Sequence, residues 1–156
     1  MLGEAFTFSL KRVQRPVSLA IFEDVKDVFD LYVARFGRLN GVTLKCHATI
    51  DNADEAIKIF RRSRPSIVIT DLSLGEKANT AGFTIVNMIK GESPRTAVAL
   101  ATLHTVDSVT DIEERIKAQP FDAVFHKTDF IGISAFITRK VGEFQREPLE
   151  HSFCLR

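Results

Sequence analysis

Five short apolar segments alternate with segments of helical periodicity between Val17 and about Gly142, and this alternation restricts the possible folds more than any other feature. Val17–Phe22 and Ile67–Thr70 are the clearest strands, and the second is a β-branched run typical of a strand covered on both faces. Apolar residues then recur every three or four positions, as in amphipathic helices. Five such units are too few for an eight-stranded barrel, so we expect an α/β fold with an open, doubly wound parallel sheet.

The remaining strands are predicted from alternation and from short apolar runs. Apolar and polar residues alternate strictly over 42–50, which is typical of a half-buried strand near a sheet edge. Shorter runs predict strands over 97–101 and 123–125. The last helix is predicted to run from about Asp129 to Phe144.

Capping residues indicate where the helices begin and end. Asp24 is predicted to be the N-cap of the first helix, and Asn52 with Glu55 forms a capping-box pattern at the second. Gly91 is predicted to close the third helix.

Composition and charge argue against several classes of function. The chain has 156 residues, 45% hydrophobic and 26% charged, which is typical of one soluble domain. Its 21 basic and 20 acidic residues leave a net charge of +1, so we expect no direct contact with nucleic acid. No apolar run is long enough to span a membrane, so we expect a cytoplasmic protein without membrane attachment. The absence of a glycine-rich phosphate loop argues against nucleotide cofactors.

Polar residues stand just after four of the predicted strands. Right-handed crossovers bring the carboxyl ends of parallel strands to one edge of the sheet, where open α/β folds bind ligands. The residues at these ends are Glu23, Asp24, Asp71, Thr102 and Lys127. Three carboxylates close together repel one another, and a divalent cation with a preference for oxygen ligands, such as Mg²⁺, removes that conflict. The alternative is that the three acids are splayed apart as capping or solvated residues.

The ordered segments Phe22–Asp24, Ile67–Asp71, Ala99–Thr102 and Phe125–Lys127 resemble the receiver domain of two-component response regulators. The resemblance implies a flavodoxin-like (βα)5 fold with strand order 2-1-3-4-5. It covers a domain over residues 16–144, with an N-terminal extension over 1–15 and a C-terminal tail over 145–156. The tail is too short to form an output domain, so we expect a stand-alone receiver.

The resemblance also implies roles for individual residues. Asp71 would accept a phosphoryl group from a phosphohistidine, Thr102 would hydrogen-bond a phosphoryl oxygen, and Lys127 would pair first with Asp71 and then with the phosphoryl group. The implied Mg²⁺ ligands are Glu23 (mostly through a metal-bound water), Asp24, Asp71 and Ser73 (through its backbone carbonyl). His104 lies where side chains tune dephosphorylation in this family.

The implied partners are a sensor histidine kinase or a histidine phosphotransfer protein, and a downstream protein that reads the phosphorylated state. A homodimer through the face of helix 4, strand 5 and helix 5 is also implied. The chain would not be an enzyme in the usual sense, since its chemistry would be limited to gaining and slowly losing its own phosphoryl group.

The chain departs from the family pattern at three places. Thr128 stands where the family usually has a proline in a cis peptide bond, so we expect a trans or otherwise altered loop. Val124 stands where Tyr or Phe is usual, and the loop from Asp71 to Gly82 is longer than usual. Two alternatives therefore stay open. One is a pseudo-receiver that binds partners without phosphorylation. The other is a phosphohydrolase of the haloacid-dehalogenase type, which fits less well because Ser73 stands where that type has a second Asp.

Overall fold

The structure, a computed structural model, describes residues 14–46, 48–75, 80–103 and 110–147. Over these ranges the chain alternates strands and helices in the order β1 (Val17–Phe22), α1 (Lys26–Phe36), β2 (Val42–Leu44), α2 (Ala53–Ser63), β3 (Ile67–Thr70), α3 (Ala81–Glu92), β4 (Ala97–Thr102), α4 (Thr110–Lys117), β5 (Ala123–His126) and α5 (Phe130–Arg146). The strands form one parallel sheet in the order β2-β1-β3-β4-β5. The predicted fold class and strand order are confirmed.

Alternate residues of the central strands face two separate layers of helices. Leu19 and Ile21 of β1 pack in a cluster with aromatic residues of α1 and apolar residues of α5. Ala20 and Phe22 of the same strand pack in a second cluster with α2 and α3. Because both faces of β1 are buried in this way, its carboxyl end is held rigidly, and so is that of β3 beside it.

Several predicted boundaries are confirmed. The bounds of β1 and β3 are as predicted, while β4 and β5 each extend one residue further. The Asn52 side chain accepts a hydrogen bond from the backbone N–H of Glu55 at 2.8 Å, as expected for an N-cap. Gly91 lies inside α3 rather than closing it, and α5 extends to Arg146, past the predicted end at Phe144.

The prediction that Asp24 caps the first helix is wrong. The N-cap of α1 is Val25, whose N–H donates to the Glu23 carboxylate at 3.0 Å. Asp24 instead accepts a hydrogen bond from the backbone N–H of Gly75 at 2.8 Å. A tertiary hydrogen bond therefore replaces the local cap, and it ties the loop after β3 to the end of β1.

The second strand is shorter than the predicted 42–50, and Cys46 supplies the physical reason. Beyond Leu44 the next acceptor for β1 is a side chain, because the N–H of Ile21 donates to the Cys46 sulfur at 3.0 Å. Ala48 is exposed, so the predicted alternation of burial also ends there. The chain returns to the sheet edge where the N–H of Ile50 donates to the Glu23 carbonyl at 2.9 Å.

Among the described helices, none combines the length and the apolar character needed to cross a membrane. His104, most of the predicted N-terminal extension and most of the predicted C-terminal tail lie outside the described residues.

Candidate functional site

The carboxyl ends of β1, β3, β4 and β5 bring five of the six predicted site residues to one edge of the sheet. Glu23 and Asp24 follow β1, Asp71 follows β3, Thr102 is the last residue of β4, and Lys127 follows β5. All of them are buried except Asp24, which is half-buried. Parallel pairing of these strands fixes this arrangement, since each residue is the last of its strand or lies one or two positions beyond its end.

Lys127 bridges two of the buried carboxylates. Its ammonium lies 2.7 Å from Asp71 Oδ2 and 2.9 Å from Glu23 Oε2. The other oxygen of Asp71, Oδ1, accepts a hydrogen bond from the backbone N–H of Leu72 at 2.7 Å. Both oxygens of Asp71 are therefore held in place, which gives a carboxylate of fixed orientation at the end of a central strand.

Burial and ion pairing oppose each other at this site. Burial raises the pKa of the Asp71 carboxyl and of the Glu23 carboxyl, although hydrogen bonds from Lys127 act in the opposite direction. Burial by itself would lower the pKa of Lys127, but its hydrogen bonds to the two carboxylates prevail and raise that pKa. Lys127 therefore keeps its positive charge. Without this ammonium group, burial would favour the protonated form of the Asp71 and Glu23 carboxyls more strongly.

The three acids form a cluster of oxygen ligands. Glu23, Asp24 and Asp71 each present a carboxylate oxygen, and these atoms lie within 4.8 Å of one another. Carboxylate oxygens are the ligands that Mg²⁺ prefers, and it typically uses one or two of them together with water and phosphate oxygens. The donor set therefore fits Mg²⁺. Ser73, the fourth predicted ligand, is half-buried in the loop that follows Asp71.

Gly75 closes the described part of the loop beside the acids. Its φ is +79°, and a Cβ added there would lie 2.2 Å from the Asp51 carbonyl oxygen. Glycine is required for this close approach and this backbone conformation. The Gly75 N–H donates to the Asp24 carboxylate, so the loop after Asp71 is held against the acidic cluster. Residues 76–79 of the loop between Asp71 and Gly82, which was predicted to be longer than usual, lie outside the described part of the chain.

No protein-family model matches the chain, and no curated protein does. Solved structures do match. The signal receiver domain of a signal transduction histidine kinase from Syntrophus aciditrophicus is similar with a TM-score of 0.68 at 16% identity, over 85% of this chain and 96% of that one. The signal receiver domain of a putative Luxo repressor protein from Vibrio parahaemolyticus is similar with a TM-score of 0.64 at 19% identity, over 83% and 92%. A DNA-binding response regulator of the LuxR family from Staphylococcus aureus gives 0.66 at 19% identity, over 80% and 98%.

The chain has the receiver fold. At this level of identity the likeness establishes the fold, and the chemistry of the site depends on the chain's own residues.

Two departures from the usual receiver pattern lie on β5 and the turn after it. The described residues contain no cis peptide bond, so the bond before Thr128 is trans, as expected. The Thr128 hydroxyl lies 2.7 Å from His126 Nδ1, and its N–H donates to the same atom at 3.3 Å. Val124 is 48% exposed on β5. A short aliphatic side chain therefore occupies the surface position where receivers commonly have an aromatic ring.

Sequence reasoning missed one residue that contacts this site, Tyr32 of α1. Its hydroxyl donates to the Lys127 carbonyl oxygen at 2.7 Å, across 95 residues of sequence. The helical periodicity identified Tyr32 only as an apolar residue of the first helix, and its buried ring fits that assignment. No local signal could have revealed the partner of its hydroxyl group.

Proposed function

We propose that this chain is a response-regulator receiver that accepts a phosphoryl group on Asp71 from the phosphohistidine of a sensor histidine kinase or a histidine phosphotransfer protein. The observation that supports this most directly is the Asp71 carboxylate, held between Lys127 and the Leu72 N–H beside two further carboxylates. A cytoplasmic setting, with Mg²⁺ as the cofactor, is part of this proposal.

The transfer would replace one bond to phosphorus by another. A carboxylate oxygen of Asp71 attacks the phosphorus atom, the phosphorus–nitrogen bond to the donor imidazole breaks, and the leaving imidazole takes up a proton. The product is an acyl phosphate on Asp71. The hydrogen bond from Leu72 and the ion pair with Lys127 orient the nucleophile before the donor arrives.

Mg²⁺ would supply positive charge that offsets the charge of the phosphoryl oxygens. Its proposed ligands are Glu23, Asp24, Asp71 and the backbone carbonyl of Ser73. Lys127 would move its ammonium from the Asp71 carboxylate to the phosphoryl group, and the Thr102 hydroxyl would donate to a phosphoryl oxygen. Both side chains are already buried at the strand ends beside Asp71.

The output of this receiver would be a conformational change that a partner protein reads. Phosphorylation would stabilise a minor conformation of the face formed by α4, β5 and α5, and a partner or a second copy would bind that conformation. Val124 and Ile131, 48% and 86% exposed, are apolar contacts available on this face. Equal partner affinity for the phosphorylated and unphosphorylated forms would contradict this part of the proposal.

Intact-mass spectrometry tests the phosphoacceptor. The protein is treated with acetyl phosphate and Mg²⁺, beside a sample with EDTA, the variant Asp71→Asn, and Asp54→Asn as a matched control on the exposed first turn of α2. We expect the mass of one phosphoryl group in the wild type and in the control, and none with EDTA or in Asp71→Asn.

No gain of mass under conditions that label an ordinary receiver would overturn the proposal. The pseudo-receiver, a module that binds its partner without phosphorylation, would then be the better account of the same fold.

A further inference from the structure

Tyr32 joins helix α1 to the turn that bears Lys127. Tyr32 is the only tyrosine of the chain. Its hydroxyl donates to the Lys127 carbonyl oxygen at 2.7 Å, and both residues are buried. The phosphoryl chemistry proposed above gives Tyr32 no part, although its hydroxyl contacts the residue whose ammonium pairs with Asp71 and Glu23.

The backbone of Lys127 lies at the end of an edge strand, where few neighbouring elements can hold it in place. Lys127 is the first residue beyond β5, which is an edge strand of the sheet, and the next residue, Thr128, is exposed. The Lys127 N–H donates to the Thr102 carbonyl of β4 at 3.0 Å, and its carbonyl accepts from Tyr32. Strand β4 therefore fixes the backbone N–H of Lys127, and helix α1 fixes its backbone carbonyl.

Tyr32 is itself held firmly enough to act as a support. Its side chain is buried against Phe36, with ring centroids 5.0 Å apart, and against the edge of Phe130, at 6.1 Å and 88°. The Arg35 guanidinium covers the Phe130 ring at 4.5 Å. Burial raises the pKa of the Tyr32 hydroxyl, so it remains protonated and able to donate.

We infer that Tyr32 is a positioning residue, which fixes the backbone of Lys127 and thereby holds the ammonium against Asp71 and Glu23. A side chain with four rotatable bonds reaches two carboxylates within 3 Å only if its backbone is correctly placed, and the Tyr32 hydroxyl supplies that placement. The consequence for phosphorylation rests on the proposed function, whereas the consequence for Lys127 itself does not.

The first test measures how strongly the fold protects the Lys127 ammonium from acetylation, and it involves no phosphoryl transfer. The folded protein is acetylated with an amine-reactive reagent in short pulses, and peptide mass spectrometry gives the rate at each lysine. Tyr32→Phe keeps the ring and removes the hydroxyl. We expect acetylation of Lys127 to rise about fivefold, as the loss of one buried hydrogen bond would allow.

Two controls separate positioning from a general loss of stability. Lys90, which is held by Asp122 and the Thr96 carbonyl, is the internal control and should react at its wild-type rate. Ile89→Val removes one methyl group from a fully buried position of α3 and should change neither rate. Phe130→Leu, which keeps the Tyr32 hydroxyl but loosens the ring, should raise Lys127 acetylation less, and it serves if Tyr32→Phe does not fold.

The second test asks whether Tyr32 acts through Lys127. In acetyl phosphate and Mg²⁺, Tyr32→Phe should lower the rate of phosphorylation about tenfold. In the Lys127→Met background the same substitution should change the rate less than about twofold, because an effect exerted through Lys127 disappears when Lys127 is absent.

The outcomes distinguish this inference from the proposed function. Unchanged Lys127 acetylation in Tyr32→Phe, or in Phe130→Leu if the former does not fold, would overturn the inference, and so would equal effects of Tyr32→Phe on phosphorylation with and without Lys127. Absence of phosphorylation in the wild type would overturn the proposed function alone, and the acetylation rates would still decide the role of Tyr32.

Discussion

Replacing Lys127 with methionine removes the ammonium that lies 2.7 Å from Asp71 and 2.9 Å from Glu23. Glu23 and Asp71 are only 1% and 7% exposed, so water cannot replace the lost partner effectively. Breaking a buried ion pair by removing one partner costs about 3–5 kcal/mol. Natural domains have a free energy of unfolding of about 5–15 kcal/mol, so Lys127→Met should lose a large part of its stability while remaining folded.

Urea unfolding at pH 7 in EDTA, followed by far-ultraviolet circular dichroism, measures this loss. With a slope of about 2 kcal/mol per molar urea, the midpoint should fall by about 2 M. Lys26→Met is the matched control, because Lys26 pairs with Asp30 at 2.5 Å while its side chain is 77% exposed. Its midpoint should equal that of the wild type within error.

Millimolar Mg²⁺ should recover part of the deficit in Lys127→Met, since a cation among the acids replaces the charge that the lysine supplied. A midpoint shift below about 0.5 M in EDTA would refute the reasoning. It would mean that the two carboxylates do not depend on Lys127 for their charge balance in the folded state.

Three other substitutions have outcomes that the structure determines. Cys46→Ala leaves the buried N–H of Ile21 without its acceptor, so the free energy of unfolding measured in urea should fall by about 1–3 kcal/mol. Burial also raises the pKa of the Cys46 thiol, so in the native wild type this residue should resist alkylation by iodoacetamide at pH 8, as measured by peptide mass mapping. Gly75→Ala places a Cβ against the Asp51 carbonyl at a φ of +79° and should lower the melting temperature, whereas an unchanged melting temperature would show that this loop adjusts freely. Gly91→Ala, inside α3 with nothing within 4 Å of the added Cβ, should instead stabilise the fold by about 0.5–1 kcal/mol, and a loss would contradict the helical placement of Gly91.

The sequence was most informative where both faces of a strand are buried. β1 and β3 were predicted to the residue, because a strand covered by helices on both sides is apolar along nearly all of its length. The residues at their carboxyl ends then followed from topology alone. This is why the sequence by itself predicts that Glu23, Asp24 and Asp71 lie close together.

The errors came from hydrogen bonds between residues distant in sequence. The Cys46 sulfur replaces a backbone acceptor for β1 and shortens β2, although the apolar alternation continues. Asp24 has the residue type of a helix cap, but it accepts from Gly75 in a loop 51 residues further on. Tyr32 was assigned only to the apolar face of the first helix for the same reason. Local patterns contain no information about such partners.

The order of the strands places the acids of the site on central strands and its ammonium group on an edge strand. These two parts of the sheet differ in the free energy needed to unfold them locally. The acids follow β1 and β3, which pair on both sides, while Lys127 follows β5, which is hydrogen-bonded only to β4 within the described sheet. Edge strands detach from a sheet in local fluctuations that leave the centre intact. Backbone amides of β5 should therefore exchange with deuterium before those of β1 and β3, so the positive charge can leave the acids at a smaller free energy than global unfolding requires.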